Sequence, residues 1–140
     1  MTTAVDSNVL IALWNADDAL NSLARAALDA AAERGALVIA APVFAELLAA
    51  PGRTEAFLDR FFRETAISVE WDLSEPVWRV AGRAFQQHAA RRKGAREKGP
   101  RRVLADFVIG AHALLNRFQL LTLDEHLYRI SFPELVVTKI

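Results

Sequence analysis

Short runs of consecutive apolar residues alternate along this chain with longer stretches whose apolar positions recur every three or four residues. Thr3 to Val5 predicts a brief strand ending at Asp6, after which Ser7 can cap a helix through Val9, Leu10, Ile11 and Leu13. Leu20, Leu23, Ala24, Ala27, Leu28 and Ala31 trace one helical stripe, predicting a helix over about Asp18 to Glu33 with Gly35 as a left-handed cap. Leu37 to Ala40 predicts a buried strand, and Pro42 opens the next helix where its missing N–H costs nothing. Pro51 and Gly52 end that helix, Thr54 caps another reaching about Arg63, and Ala66 to Val69 is a third strand.

Ser74 starts a long helix, with Glu75 and Pro76 in its first turn, that extends to about Arg92. A basic connection from Lys93 to Arg102 leads into a helix from about Val103 to Arg117. A strand at Leu120 to Thr122, a helical turn after Asp124 and a last strand at Leu135 to Thr138 complete the chain. The β-runs are apolar throughout instead of alternating, as in a parallel sheet covered on both faces. The expected fold is α/β, a three-layer α/β/α sandwich forming one domain over residues 1–140. Ligands of such sheets bind beyond the carboxyl ends of the strands, so residues at those ends carry the functional question.

Composition narrows the chemistry only in part. A hydrophobic share of 53% supports a packed core, and 17 basic against 17 acidic side chains leave no net charge to announce a polyanionic partner. The absence of cysteine excludes disulfides, thiolate ligands and thiol catalysis, and fits a reducing compartment. The first residues lack the pattern of a signal peptide, and no apolar run approaches the ~20 residues that span a bilayer. The expectation is a soluble, cytoplasmic protein without a membrane partner.

Four acids occupy informative places. Asp6 ends the first strand and Asp124 follows the Leu120–Thr122 strand, so both fall at one edge of the sheet. Glu46 lies in the apolar segment from Pro42 to Ala50, and Asp106 lies one turn into the helix that continues Phe107, Val108, Ile109, Gly110, Ala111. Each alone has an ordinary reading: helix cap, turn residue, surface glutamate, first-turn acid. Together they would repel one another unless a cation relieved them, and an all-oxygen set suits Mg²⁺ or Mn²⁺. Phosphodiester hydrolysis is the reaction such a site serves, with Ser7, Asn8 and Thr122 able to steady ligands or water around it. For these three the competing roles are capping and turn hydrogen bonding.

Val5-Asp6-Ser7-Asn8-Val9-Leu10, Ala45-Glu46-Leu47, Ala105-Asp106-Phe107-Val108-Ile109-Gly110-Ala111-His112-Ala113 and Leu121-Thr122-Leu123-Asp124 resemble, in order and spacing, the four acidic motifs of the PIN domain. The ending from Tyr128 to Leu135 is similar to one branch of the VapC toxins of bacterial toxin–antitoxin pairs. The resemblance implies a five-stranded parallel sheet and Mg²⁺- or Mn²⁺-dependent endoribonuclease activity. It implies a homodimer silenced by an antitoxin protein. It also implies that Asp6, Glu46 and Asp106 are the principal metal ligands and catalytic acids, with Asp124 the more variable fourth. Glu125, beside Asp124, is the alternative for that fourth place.

Arg91, Arg92, Lys93, Arg96, Lys98, Arg101 and Arg102 precede Asp106 with only Glu97 opposing them. Such a segment suits a track for RNA phosphates or for an antitoxin's acids, or else is a solvated loop. His112 and His126 read as structural. Trp14, Trp71 and Trp78 read as core or dimer interface, and Phe57, Phe61 and Phe62 as suited to a subunit contact. The alternatives left open are a PIN nuclease of RNA maturation or decay, a non-catalytic RNA- or protein-binding module and, least fitting, a response-regulator receiver.

Overall fold

The computed structural model describes residues 1–95 and 103–140. Its sheet combines β1 (Thr3–Val5), β2 (Leu37–Ala40), β3 (Ser68–Glu70), β4 (Gln119–Thr122) and β5 (Val137–Lys139) in the order β3-β2-β1-β4-β5, every pairing parallel. The central strands β1 and β2 are buried along their whole length, whereas the edge strands β3 and β5 are partly exposed. That gradient is why β2 is an uninterrupted run of Leu, Val, Ile and Ala, and why β1 has a single polar residue, Thr3. The helices are α1 (Ser7–Leu13), α2 (Asn21–Arg34), α3 (Ala41–Leu48), α4 (Glu55–Thr65), α5 (Glu75–Ala95), α6 (Leu104–Leu115) and α7 (Glu125–Ser131). With the sheet they form the three-layer α/β fold expected from the sequence. Among the described residues no helix is long and apolar enough to cross a membrane.

Several boundaries move, each for a local reason. Asp6, not Ser7, is the N-cap of α1: its backbone is extended and its carboxylate accepts from the Ser7 amide, so Ser7 is the first helical residue. Helix α2 begins at Asn21 and not Asp18, because the Asp18 side chain accepts from the Leu20 amide at 2.7 Å and holds a turn. Asn21 then donates to the carbonyls of Ala12 and Leu13 at 3.0 and 2.9 Å, closing the end of α1. Gly35 is extended (φ 160°) and not left-handed; a side chain there would strike the Met1 backbone, whose amino group donates to the Arg34 carbonyl. Ala66 takes the left-handed C-cap of α4 at φ 59°, which delays β3 to Ser68.

The chain runs from β1 outward to β2 and β3, then returns to the other side of β1 as β4 and β5. Strand order therefore reverses beside β1, and the carboxyl ends of β1 and β4 flank the crevice that such a reversal opens. Asp6 follows β1 directly, and Thr122 ends β4.

Candidate active site

Asp6 is 4% exposed, and its carboxylate is held from both sides. Oδ1 accepts from the Ser7 amide at 2.8 Å, while Oδ2 accepts from the hydroxyls of Thr122 and Tyr128, each at 2.9 Å. Burial nevertheless raises its pKa, against the lowering by Thr122, Tyr128 and Ser7, and the charge of Asp124 raises it further. A buried acid that three donors leave undercompensated is short of positive charge.

Glu46 lies in the last turn of α3, half-buried, and its Oε1 accepts from the Ser7 hydroxyl at 3.2 Å. Desolvation raises its pKa first, and the charges of Asp6 and then Asp106 add to the rise against the Ser7 bond. Asp106 sits in the first turn of α6, half-buried, close enough to act on Glu46 through space. The fold thus brings Asp124 within electrostatic reach of Asp6, and Asp6 and Asp106 within reach of Glu46. Among the described residues, however, no three acid, histidine or cysteine side chains are gathered tightly enough to form a ready-made metal cage.

Glu125 goes elsewhere. It pairs with Arg129 at 2.7 Å and with Lys139 at 3.7 Å, and the Arg129 hydrogen bond leads the causes that lower its pKa. Asp124, by contrast, acts on Asp6. Ser7, Asn8 and Thr122 form one polar web around the acids. Thr122 Oγ1 accepts from the Asp124 amide at 3.0 Å and from Asn8 Nδ2 at 3.5 Å, and Asn8 Oδ1 accepts from the Leu123 amide at 3.1 Å. Capping and site support are here the same bonds.

Sequence reasoning missed Tyr128 as a member of this site. Its hydroxyl reaches Asp6 from α7 while its ring is 1% exposed. Burial, then the charges of Asp6 and Asp106, push its pKa well above the usual 10.0, so the phenol stays protonated and donates. The available signal was a tyrosine four residues beyond Asp124, next to apolar Leu127, because a buried phenol needs an acceptor.

Helix α5 packs against α6, with Phe85 and His88 each 5.3 Å from the Phe107 ring. Its last turns carry exposed Arg91 and Lys93 and half-buried Arg92. Arg96, Lys98, Arg101 and Arg102 fall outside the described residues. His112 is buried, its Nε2 2.6 Å from Glu70 Oε1, and His126 is exposed on α7; neither stands among the acids. Trp14 packs edge-on against Phe57 and Phe61, with the Arg53 guanidinium above Trp14 and Phe57, and Phe62 is buried. Those rings are thus engaged within the chain, whereas Trp71 and Trp78 are 59% and 49% exposed and not core.

The family model of the PIN domain matches residues 3–133. The chain belongs to the PIN-domain family. Among solved structures, VapBC2 from Rickettsia felis bound to a promoter DNA fragment superposes with a TM-score of 0.67 at 17% identity, covering 100% of this chain and 99% of that one. VapBC-1 from nontypeable Haemophilus influenzae gives 0.65 at 18% identity, covering 99% and 98%. A toxin–antitoxin complex from Klebsiella pneumoniae gives 0.62 at 19% identity, covering 99% of both chains. At these identities the likeness speaks for the fold. No curated protein sequence matches the chain.

Proposed function

We propose that this PIN domain is a Mg²⁺- or Mn²⁺-dependent endoribonuclease, and the toxin of a cytoplasmic toxin–antitoxin pair. The observation that carries the catalytic reading is the set of buried and half-buried acids at the strand-order reversal. Burial disfavours the charged forms of Asp6 and Glu46, and the charge of Asp124 on Asp6, and those of Asp6 and Asp106 on Glu46, add to it. An all-carboxylate donor set in that state fits a hard divalent cation, held by Asp6, Glu46 and Asp106 with Asp124 as the fourth acid. A bound cation of this kind activates water and neutralises charge on the scissile phosphate.

The chain's own groups do the rest. Ser7, Asn8 and Thr122 keep the acids oriented through the bonds described above. Arg91, Arg92 and Lys93 in the last turns of α5, and Arg101 and Arg102 of the basic segment that follows in the sequence, are the groups this reading assigns to phosphates of the RNA flanking the cut. The toxin reading is supported by the complexes that share this fold, the toxin–antitoxin complex from Klebsiella pneumoniae and the two VapBC assemblies. A homodimer and a cognate antitoxin covering the acidic crevice belong to the same reading.

Purified protein incubated with total cellular RNA in Mg²⁺, Mn²⁺ or EDTA, beside Asp6→Asn, tests the enzyme. Metal-dependent fragments absent from the variant are the expected outcome. No cleavage in either metal, with no thermal shift on adding one, would instead favour a non-catalytic binding module.

A further inference from the structure

The three donors on Asp6 divide its oxygens unequally. Oδ2 accepts two hydroxyl protons, from Thr122 and Tyr128, while Oδ1 accepts only the Ser7 amide. A carboxylate oxygen has about two acceptor positions, so Oδ2 is filled and one position stays open on Oδ1. Thr122 has little choice in this, since its oxygen already accepts from the Asp124 amide and faces Asn8 Nδ2, which leaves its single proton for Asp6. Tyr128 is equally committed: it is buried, protonated and directed at Oδ2 from a helix that begins just after Asp124. Glu46, held by one hydroxyl at 3.2 Å, has no comparable restraint. Asp6 is thus held at both oxygens, and Glu46 at one.

We propose that Tyr128 is a positioning residue of this site: its hydroxyl, with that of Thr122, occupies Oδ2 of Asp6 and fixes Oδ1 as the oxygen offered to a divalent cation. This inference rests on the reading of Asp6 as a cation ligand. It assigns α7 a role beyond packing, because the helix carries the donor that sets which face of the acid is presented. Removing the hydroxyl frees an acceptor position on Oδ2 and lets the carboxylate turn. Outer groups that orient a ligand in this way typically influence metal affinity ~10- to 100-fold.

The test uses wild type, Asp6→Asn and Tyr128→Phe, titrated with Mn²⁺ by calorimetry, with melting curves in EDTA alongside. Tyr128→Phe is expected to bind Mn²⁺ ~10- to 100-fold more weakly than wild type, and Asp6→Asn not at all. Tyr128 is the only tyrosine of the chain, so biosynthetic fluorotyrosine labels that position alone. Its fluorine resonance should move on adding Mg²⁺ and stay still in Asp6→Asn. This second readout carries the test if the phenylalanine variant fails to fold. Absence of metal binding by wild type would remove the cation site and the proposal together. Binding by wild type, lost in Asp6→Asn but unchanged in Tyr128→Phe or without a fluorine shift, would overturn the positioning role and leave the cation site standing. A Tyr128→Phe protein that melts earlier in EDTA yet keeps the wild-type metal constant would overturn it too, as a purely structural residue.

Discussion

The Ser7 hydroxyl donates to Oε1 of Glu46 across 3.2 Å, tying the first turn of α1 to the last turn of α3. Ser7 also gives its amide to Asp6, so one residue steadies two acids that repel each other. Ser7→Ala keeps the amide and deletes the hydroxyl. The charged form of Glu46 then loses its hydrogen bond, and its pKa rises further. We expect the half-saturating Mn²⁺ concentration for RNA cleavage to increase, with folding stability lowered by only about 1 kcal/mol. An unchanged metal requirement would show that this bond does nothing for the site.

Replacing the acids should separate activity from stability. Asp6→Asn, Glu46→Gln and Asp106→Asn are each expected to reduce cleavage roughly a hundredfold or more, since several kcal/mol of charge stabilisation passes through the ligands they remove. Asp6→Asn should not destabilise the metal-free protein. Asparagine also caps helices well, and the Tyr128 hydroxyl can turn to accept from its amide. Glu125→Gln is the control, because Glu125 is occupied with Arg129 and Lys139. Strong loss of cleavage in Glu125→Gln with none in Asp124→Asn would reverse their assignment.

Helix α6 also depends on close packing. A methyl group at Gly110 would meet the Phe132 ring, which is 3% exposed and cannot swing into solvent. Gly110→Ala should therefore cost about 1–3 kcal/mol by overpacking, less the modest gain in helix propensity. On the same helix, buried His112 uses Nε2 for Glu70, while its Nδ1 has no protein partner. Glu70→Ala would strand the second nitrogen as well, at about 1–3 kcal/mol. Chemical denaturation of both variants checks these values, and wild-type midpoints would contradict the packing.

Elements with strong periodicity were legible in advance: every strand and helix was anticipated, and Asp6 and Asp124 stand just beyond the carboxyl ends of β1 and β4, as their positions after β-runs required. The errors sit where side chains compete for backbone groups. Asp18 and Asp6 captured amides that periodicity assigned to other elements, and Ala66 took a left-handed cap that composition does not favour. Phe57 and Phe61 looked free for a partner because their contact with Trp14, from α1's end, is not local in sequence. Tyr128 escaped for the same reason, since its acceptor lies at the far end of the chain.

The raised pKa values of Asp6 and Glu46 give the metal-free protein a definite pH response. Both acids titrate higher in the folded chain than their ordinary 3.8 and 4.5, so folding favours their protonated forms. The stability they contribute is complete below those ordinary values and is lost as pH rises through the raised ones. In EDTA, the melting-temperature advantage of Asp6→Asn over wild type should therefore be largest near neutrality and shrink on acidification, as wild-type Asp6 becomes protonated. Saturating Mn²⁺ should invert the trend, because the cation binds only the ionised acids and its stabilisation must fall as they take up protons. Melting curves of both proteins across this range, with and without metal, decide the matter. A difference between them that is flat with pH in EDTA would mean that Asp6 carries no unfavourable charge in the folded chain, and the main argument for a cation at this site would go with it.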